Sequence, residues 1–169
     1  KTAYEIPKRD WSSDVCSSDL GVVYGPGYRR FVKTGKEIIV GGIRSSGSIL
    51  GDLLQFGDGG FIDLITALFR RECLELFPFY EDLFVEGEAI FFKLALRYKF
   101  LYQDEPLVVM LDHATNLGKD FNHNMVITMA AVERLARHKE FPPELARSHQ
   151  RLTANLLRDY GWMSLRVHA

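Results

Sequence analysis

Apolar and polar positions change period several times along the chain, and the changes predict a mixed α/β protein. Gly21-Val22-Val23-Tyr24 is a short β-favouring run stopped by Gly25-Pro26-Gly27, a strong turn signal. Phe31 to Val40 alternates loosely and predicts a hairpin arm, ended by Gly41-Gly42. Ser48 opens a short amphipathic helix through Ile49, Leu50, Leu53 and Leu54, closed by the glycine-rich loop Gly57 to Gly60. The partly β-branched apolar run Phe61 to Phe69 predicts a buried strand. Arg70 to Phe77 reads as a short helix, with Pro78 behind it as a stop.

Glu86 to Tyr98 is the clearest helix of the first half. Among Ile90, Phe91, Phe92, Leu94, Ala95 and Leu96, only Lys93 and Arg97 are charged, so this helix must be buried on more than one side. Phe100 to Gln103 predicts a strand, Asp104-Glu105-Pro106 a turn, and Leu107 to Leu111 an apolar strand. Such alternation argues for an α/β layer architecture. After Gly118 the pattern changes: Met125, Met129, Val132 and Leu135 recur at helical spacing opposite Glu133, Arg134 and Arg137. Phe141-Pro142-Pro143 breaks the run, and a second helix follows with Leu145, Leu152, Leu156 and Tyr160 on its apolar side and Gly161 as its expected cap. The tail is a helical hairpin whose methionines serve the core.

Composition narrows the class. Of 169 residues, 47% are hydrophobic and 25% charged, with a formal net charge of −1, which excludes disordered and collagenous chains and gives no long-range attraction to nucleic acid or to an anionic membrane. No basic face interleaved with aromatics is evident, which argues further against a nucleic-acid partner. No apolar run reaches the roughly 18 to 20 residues of a membrane span. Cys16 and Cys73 are too few for a disulfide framework or a four-ligand zinc site.

The first twenty residues, KTAYEIPKRDWSSDVCSSDL, follow no helical or strand period and hold Ser-Ser-Asp twice. They lack the apolar core of a secretory signal and the basic bias of a transit peptide. DWSSDVCSSDL resembles one reading frame of a common short-read sequencing adapter, and KTAYEI the flow-cell sequence preceding it. On that resemblance residues 1–20 are adapter-derived and stand outside the fold, with Gly21 beginning mid-domain. Three of the 21 basic and four of the 22 acidic residues fall in this segment, leaving eighteen of each in the other 149. Cys73 is then the only cysteine of that remainder, which excludes chemistry by a cysteine pair.

Three features carry candidate chemistry. An apolar run ends in Arg70-Arg71-Glu72; Glu86-Gly87-Glu88 opens the buried helix; and Asp104-Glu105-Pro106-Leu107 leads into His113-Ala114-Thr115-Asn116. Each has a plain structural explanation. Acids in a first helical turn are favoured by the macrodipole, by about 0.3–1 kcal/mol each. Arginines leaving a strand are ordinarily solvated, a lone histidine after a strand is ordinarily hydrogen-bonded, and Asn116 is suited to capping its own loop. His123, His138, His149 and His168 sit on polar helix faces and carry no motif.

Taken in order, these features resemble family 2 glycosyltransferases of the GT-A fold. A strand running into "RRE" is followed there by a phenylalanine-rich acidic loop, matched by Phe77-Pro78-Phe79-Tyr80-Glu81-Asp82. An acidic "ED" motif then opens a helix like Glu88 to Arg97, and an aromatic strand, a "DEPL" turn and an H-x-x-N loop follow, matched by Tyr102, Asp104 to Leu107, and His113 with Asn116. The resemblance spans roughly Gly21 to Lys119. It implies a partial GT-A, Rossmann-like fold over 21–118, the acceptor-side half of the domain, with 119–169 as a helical hairpin extension.

The resemblance further implies inverting transfer of a sugar from a nucleotide-diphosphate donor to the hydroxyl of a carbohydrate or lipid-linked acceptor, at a cytoplasmic location facing the membrane. Glu88, with Glu86 second, would be the base. Counting back from Leu94-Ala95 aligns Glu86 with the motif's Glu, whereas counting forward from Asp82-Leu83 aligns Glu88 with its Asp, so one residue is missing between the two anchors. His113 would ligate a divalent metal, Mg or Mn, or contact the diphosphate, and Arg70 and Arg71 would meet phosphate or acceptor. No D-x-D occurs in the chain, so the chain by itself is expected to be inactive and to bind no metal tightly. The competing expectation, favoured by the shifted acid motif, is a non-catalytic relative that binds a protein partner.

Overall fold

The computed structural model of the chain describes residues 18–55, 62–83, 89–106, 108–116 and 121–167, without the side chains of 121–123 and 163–167. It is a mixed α/β structure of two small three-stranded sheets and a C-terminal helix pair.

In the first sheet β1 (Leu20–Tyr24) lies between β4 (Ala67–Phe69), which it pairs antiparallel, and β5 (Lys99–Tyr102), which it pairs in parallel. The expectation that residues 1–20 stand outside the fold is corrected at their end: Leu20 belongs to β1, and the Lys99 amide donates to the Asp19 carbonyl at 2.8 Å, because the backbone of these residues continues the β1–β5 ladder. In the second, β2 (Gly27–Phe31) lies between β3 (Glu37–Val40), antiparallel, and β6 (Val109–Asp112), parallel. The chain thus crosses from first sheet to second twice, β1 to β2 and β5 to β6, in the same direction each time. The crossings touch at Gly25, where a Cβ would stand 2.4 Å from the Gln103 carbonyl oxygen. Only glycine allows that approach. The turn signal is accordingly shorter than expected: Gly27 already belongs to β2. The single hairpin arm expected over Phe31 to Val40 is corrected: Phe31 ends β2, residues 32–36 form the connection, where Gly35 takes φ +67°, and only Glu37–Val40 are the returning arm.

The run Phe61 to Phe69 is not a continuous buried strand. Phe61 lies outside the described residues; Leu64–Thr66 wind into a single 3-10 turn, and only Ala67–Phe69 are extended. The Thr66 hydroxyl and amide both donate to the Asp63 carbonyl, at 2.8 and 3.0 Å, which offers the backbone a turn in place of a ladder. β4 is a sheet edge, and Leu68 on it is 69% exposed.

The short helices α1 (Leu50–Leu53) and α2 (Arg71–Leu76) fall within the predicted segments, whereas the helix predicted over Glu86 to Tyr98 is described only over α3 (Ile90–Leu94): the Leu96 and Arg97 amides donate three residues back, to Lys93 and Leu94, and so end it in a turn ahead of β5. All five residues of α3 are buried, as its nearly all-round apolar sequence requires. Phe91 stacks on Phe69, centroids 5.7 Å apart, and meets Phe100 edge-on at 6.2 Å, so α3 packs against the first sheet. Its other neighbours in the core include Leu53 of α1, and Val132 and Leu135 of α4 (Phe121–Ala136). α4 packs on α5 (Ala146–Val167) through Leu152 and Leu156; of the other two residues expected on that apolar side, Leu145 lies in the 3-10 turn before α5 and Tyr160 is corrected to an exposed position, 39% accessible. The predicted cap at Gly161 is corrected: α5 runs through it to Val167, and Gly161 is not among the positive-φ glycines. The predicted loop Gly57 to Gly60 lies outside the described residues.

Candidate functional site

Glu86 and Glu88 lie outside the described residues, but both flanks of their segment are on the page. On the near side stands the loop Phe77 to Asp82. Phe77 is buried and terminates α2. Beyond it two cations lie against the Tyr80 ring: the Lys93 ammonium 3.6 Å from its centroid and the Arg134 guanidinium carbon 4.5 Å from it. Lys93 also donates to the Pro78 carbonyl, and Arg134 forks onto both carboxylate oxygens of Asp82, at 2.8 Å for one of them. That guanidinium holds the Asp82 carboxyl below the usual carboxylate range.

On the far side α3 begins at Ala89–Ile90, both buried. Lys93 belongs to α3 and Arg134 to α4, so the two cations bind the acidic loop to the helices that carry the core. A lysine only 6% exposed is rare without partners, because a buried ammonium must be compensated. Its position could have been suspected from sequence, since a lone charge in a helix apolar on all sides needs a partner. Arg134 carries no such signal: it lies 52 residues from Asp82 in an ordinary amphipathic helix.

Arg70 and Arg71 stand at the start of α2. The Arg70 amide donates to the Gly21 carbonyl and its guanidinium to the Ser18 carbonyl, both at 2.8 Å, so Arg70 ties β4 to the entry of β1. Arg71 is exposed. His113 stands elsewhere: it follows β6, whose last residue Asp112 is in register with Phe31 at the end of β2. Arg70 and His113 therefore mark opposite ends of the β1–β2 path, and the sheet register does not bring them together.

His113 is held by its own loop. Its amide donates to Asn116 Oδ1 at 2.6 Å, Asn116 Nδ2 donates to the Leu111 carbonyl at 3.1 Å, and its Nδ1 is 2.9 Å from Thr115 Oγ1. The capping role read for Asn116 is thus observed. The exposed imidazole borders an open groove of about 500 Å³, lined also by Phe31, Lys33, Thr34, Lys36, Asp112 and Ala114. An imidazole and a carboxylate on one groove are suitable donors for a divalent cation. Among the described residues, however, no three His, Cys, Asp or Glu side chains gather, so His113 and Asp112 would supply part of a metal site only.

The "DEPL" turn is anchored rather than open: Tyr102 OH donates to Asp104 Oδ1 at 3.0 Å, and the Tyr102 amide to Ser46 Oγ at 3.0 Å. Beside it Tyr24 is 1% exposed and donates to the Ser45 carbonyl at 2.6 Å. Burial pushes its phenol far above the ordinary tyrosine range, with the Asp52 carboxylate adding to the shift. Cys73 is a buried thiol directed at the Gly21 carbonyl, and burial raises its pKa as well, against the character of a reactive cysteine.

Two histidines read as lying on polar helix faces are placed differently. His149 Nε2 is 2.8 Å from the Val132 carbonyl, and its ring meets Phe141 edge-on, which joins α5 to α4. His138 follows α4, accepts from the Glu140 amide and lies against Phe77. The side chain of His123, and His168, lie outside the described residues.

No protein-family model, no curated protein and no solved structure matches the chain.

Proposed function

We propose that the chain is the acceptor-side part of an inverting glycosyltransferase of the GT-A kind, with Glu88 as general base and Glu86 as second candidate. The observation that carries the reading is the clamp on the acidic loop. Lys93 and Arg134 fix Pro78, Tyr80 and Asp82 on one side of the 84–88 segment, and α3 buries the chain immediately on the other. A general base must be held within hydrogen-bond reach of the proton it takes, and these contacts hold both flanks of the segment that carries the candidate. The parallel pairing of β1 with β5 around a buried α3, and the loop that presents His113 and Asp112 to one groove, are consistent with it.

In this reading the acceptor hydroxyl attacks the anomeric carbon and its bond to the nucleotide diphosphate breaks. The hydroxyl proton passes to the glutamate carboxylate. Lys33, Lys36 and His113 present cationic and neutral donors to a diphosphate, and Arg70 or Arg71 meets the acceptor. A divalent cation, when bound, would offset the charge of the departing diphosphate. The donor-binding half, with its D-x-D, would be supplied by the longer reading frame in which residues 21–169 are embedded.

The test is sugar transfer by that longer protein, followed as release of nucleoside diphosphate. Glu88→Gln should lower turnover by about 10²–10⁴-fold, the usual share of a positioned base, while largely sparing donor binding. Unchanged turnover would remove Glu88 from the mechanism, and a loss confined to Glu86→Gln would transfer the role. Transfer by the 169-residue chain alone would overturn the fragment reading. The missing residue between Asp82 and Leu94 favours the second reading, a non-catalytic module; a longer frame without any D-x-D after an apolar strand would support it.

A further inference from the structure

The outward face of α5 has a pattern that neither helix packing nor the proposed reaction uses. Leu152 and Leu156 turn inward against α4. The exposed positions Arg147, Gln150, Arg151, Ala154, Leu157, Arg158, Gly161 and Trp162 follow the three- and four-residue steps of one helical stripe. The stripe holds three arginines and no acid. Asp159, beside it, is 3.2 Å from Arg158, and Glu144 lies in the turn before the helix. At its far end Trp162 is 64% exposed and Leu157 56%. A Cβ on Gly161 would meet nothing within 4 Å, so no other described part of the chain covers this end.

The placement of the arginines works against the helix itself. Arg147 and Arg151 occupy its first two turns, where the macrodipole favours acids, and the first turn contains none. A feature that conflicts with local stability is best sought in function.

We infer that this stripe docks on an anionic phospholipid surface, with α5 lying in the plane of the headgroups. The helix is 22 residues long and carries Arg147, Arg151 and Arg158 in one line, which suits a flat surface. The apolar face of α5 is taken up by α4, so the contact rests on three arginines at the headgroup phosphates and on the exposed Leu157 and Trp162 at the boundary. A second copy of the chain is a poor occupant, because a two-fold contact would set arginine stripe against arginine stripe. The chain as a whole carries no net positive charge, so the attraction is local to the stripe; a nucleic acid is disfavoured because Trp162, the one aromatic of the stripe, stands at its end and offers no rings interleaved with the cations for bases to stack on. The contact is peripheral, since among the described residues no helix is long and apolar enough to cross a membrane.

The test uses the full chain with vesicles of phosphatidylcholine alone or mixed with phosphatidylglycerol. Binding by co-sedimentation should require the anionic lipid and weaken at least fivefold between 50 and about 300 mM salt, since contacts between exposed charges are screened. Trp11→Phe leaves Trp162 as the only tryptophan, and its emission should shift to the blue with anionic vesicles. Arg147→Glu with Arg151→Glu should abolish binding at unchanged helicity. Trp162→Ala should weaken it severalfold, and Arg44→Glu, at an exposed position between β3 and α1, should leave it intact. Equal binding to neutral vesicles, no binding to either, or salt-sensitive binding to RNA matching that to vesicles would each overturn the inference.

Discussion

Lys93 shows how one residue can serve both packing and site. Its stem lies in the core while its ammonium reaches the Pro78 carbonyl and the Tyr80 ring, so truncation removes packing and a charged donor together. Lys93→Ala is expected to destabilise the fold by about 2–4 kcal/mol, read from denaturant midpoints; a loss under about 0.5 kcal/mol would show that the clamp carries no weight. Gly21 is a second such position. A Cβ there would stand 2.6 Å from Cys73 Sγ and 2.7 Å from Tyr98, where β1 and β5 also slip register. Gly21→Ala should therefore cost about 1–3 kcal/mol through overpacking. Tyr24 carries a pH dependence. Its folded phenol titrates above its unfolded value near 10, so its contribution is intact below pH 10 and falls as pH rises beyond it, while the unfolded chain ionises first. Tyr98 and Tyr102 shift in the same direction. A titration of stability that stays flat from pH 9.5 to 11.5 would contradict this assignment.

At the scale of elements, the strong periodic signals were legible. The buried helix around Phe91, the short helix ahead of Pro78 and the paired helices of the tail lie where apolar spacing predicts them. The failures have local causes. Asp63 and Thr66 convert half of an apolar run into a turn, because a threonine hydroxyl can satisfy a carbonyl that a strand would otherwise pair. Gly161 looked like a cap but lies inside α5, where neighbouring turns carry it through. Gly161→Ala should therefore stabilise the protein by about 0.5–1 kcal/mol, through backbone entropy and helix propensity. A melting point that falls instead would mean that the backbone there is not helical. Among candidate site residues, the His113 loop was readable because Asn116 caps it from three positions away. The Lys93–Tyr80–Arg134 cluster was not, because it joins a loop to two helices far apart in sequence.

For the whole molecule, the Arg134–Asp82 fork is a long-range tie between the acidic loop and the helix pair. Asp82 titrates below its ordinary value near 3.8, so the stability it contributes is present above that pH and is lost as pH falls through its lower folded value. Asp82→Asn should flatten the acid limb of the unfolding curve below about pH 4, and an unchanged limb would show that the exposed pair is fully screened. The sequence by itself determined the class, the principal helices, the absence of a cysteine framework and the residues worth testing, because periodicity and composition are local properties. Only the tertiary structure decided that six short strands form two separate mixed sheets, that Arg70 and His113 stand at opposite ends of the β1–β2 path, and that two cations fasten the acidic loop. Those outcomes depend on which distant segments pair, and no local period encodes that choice.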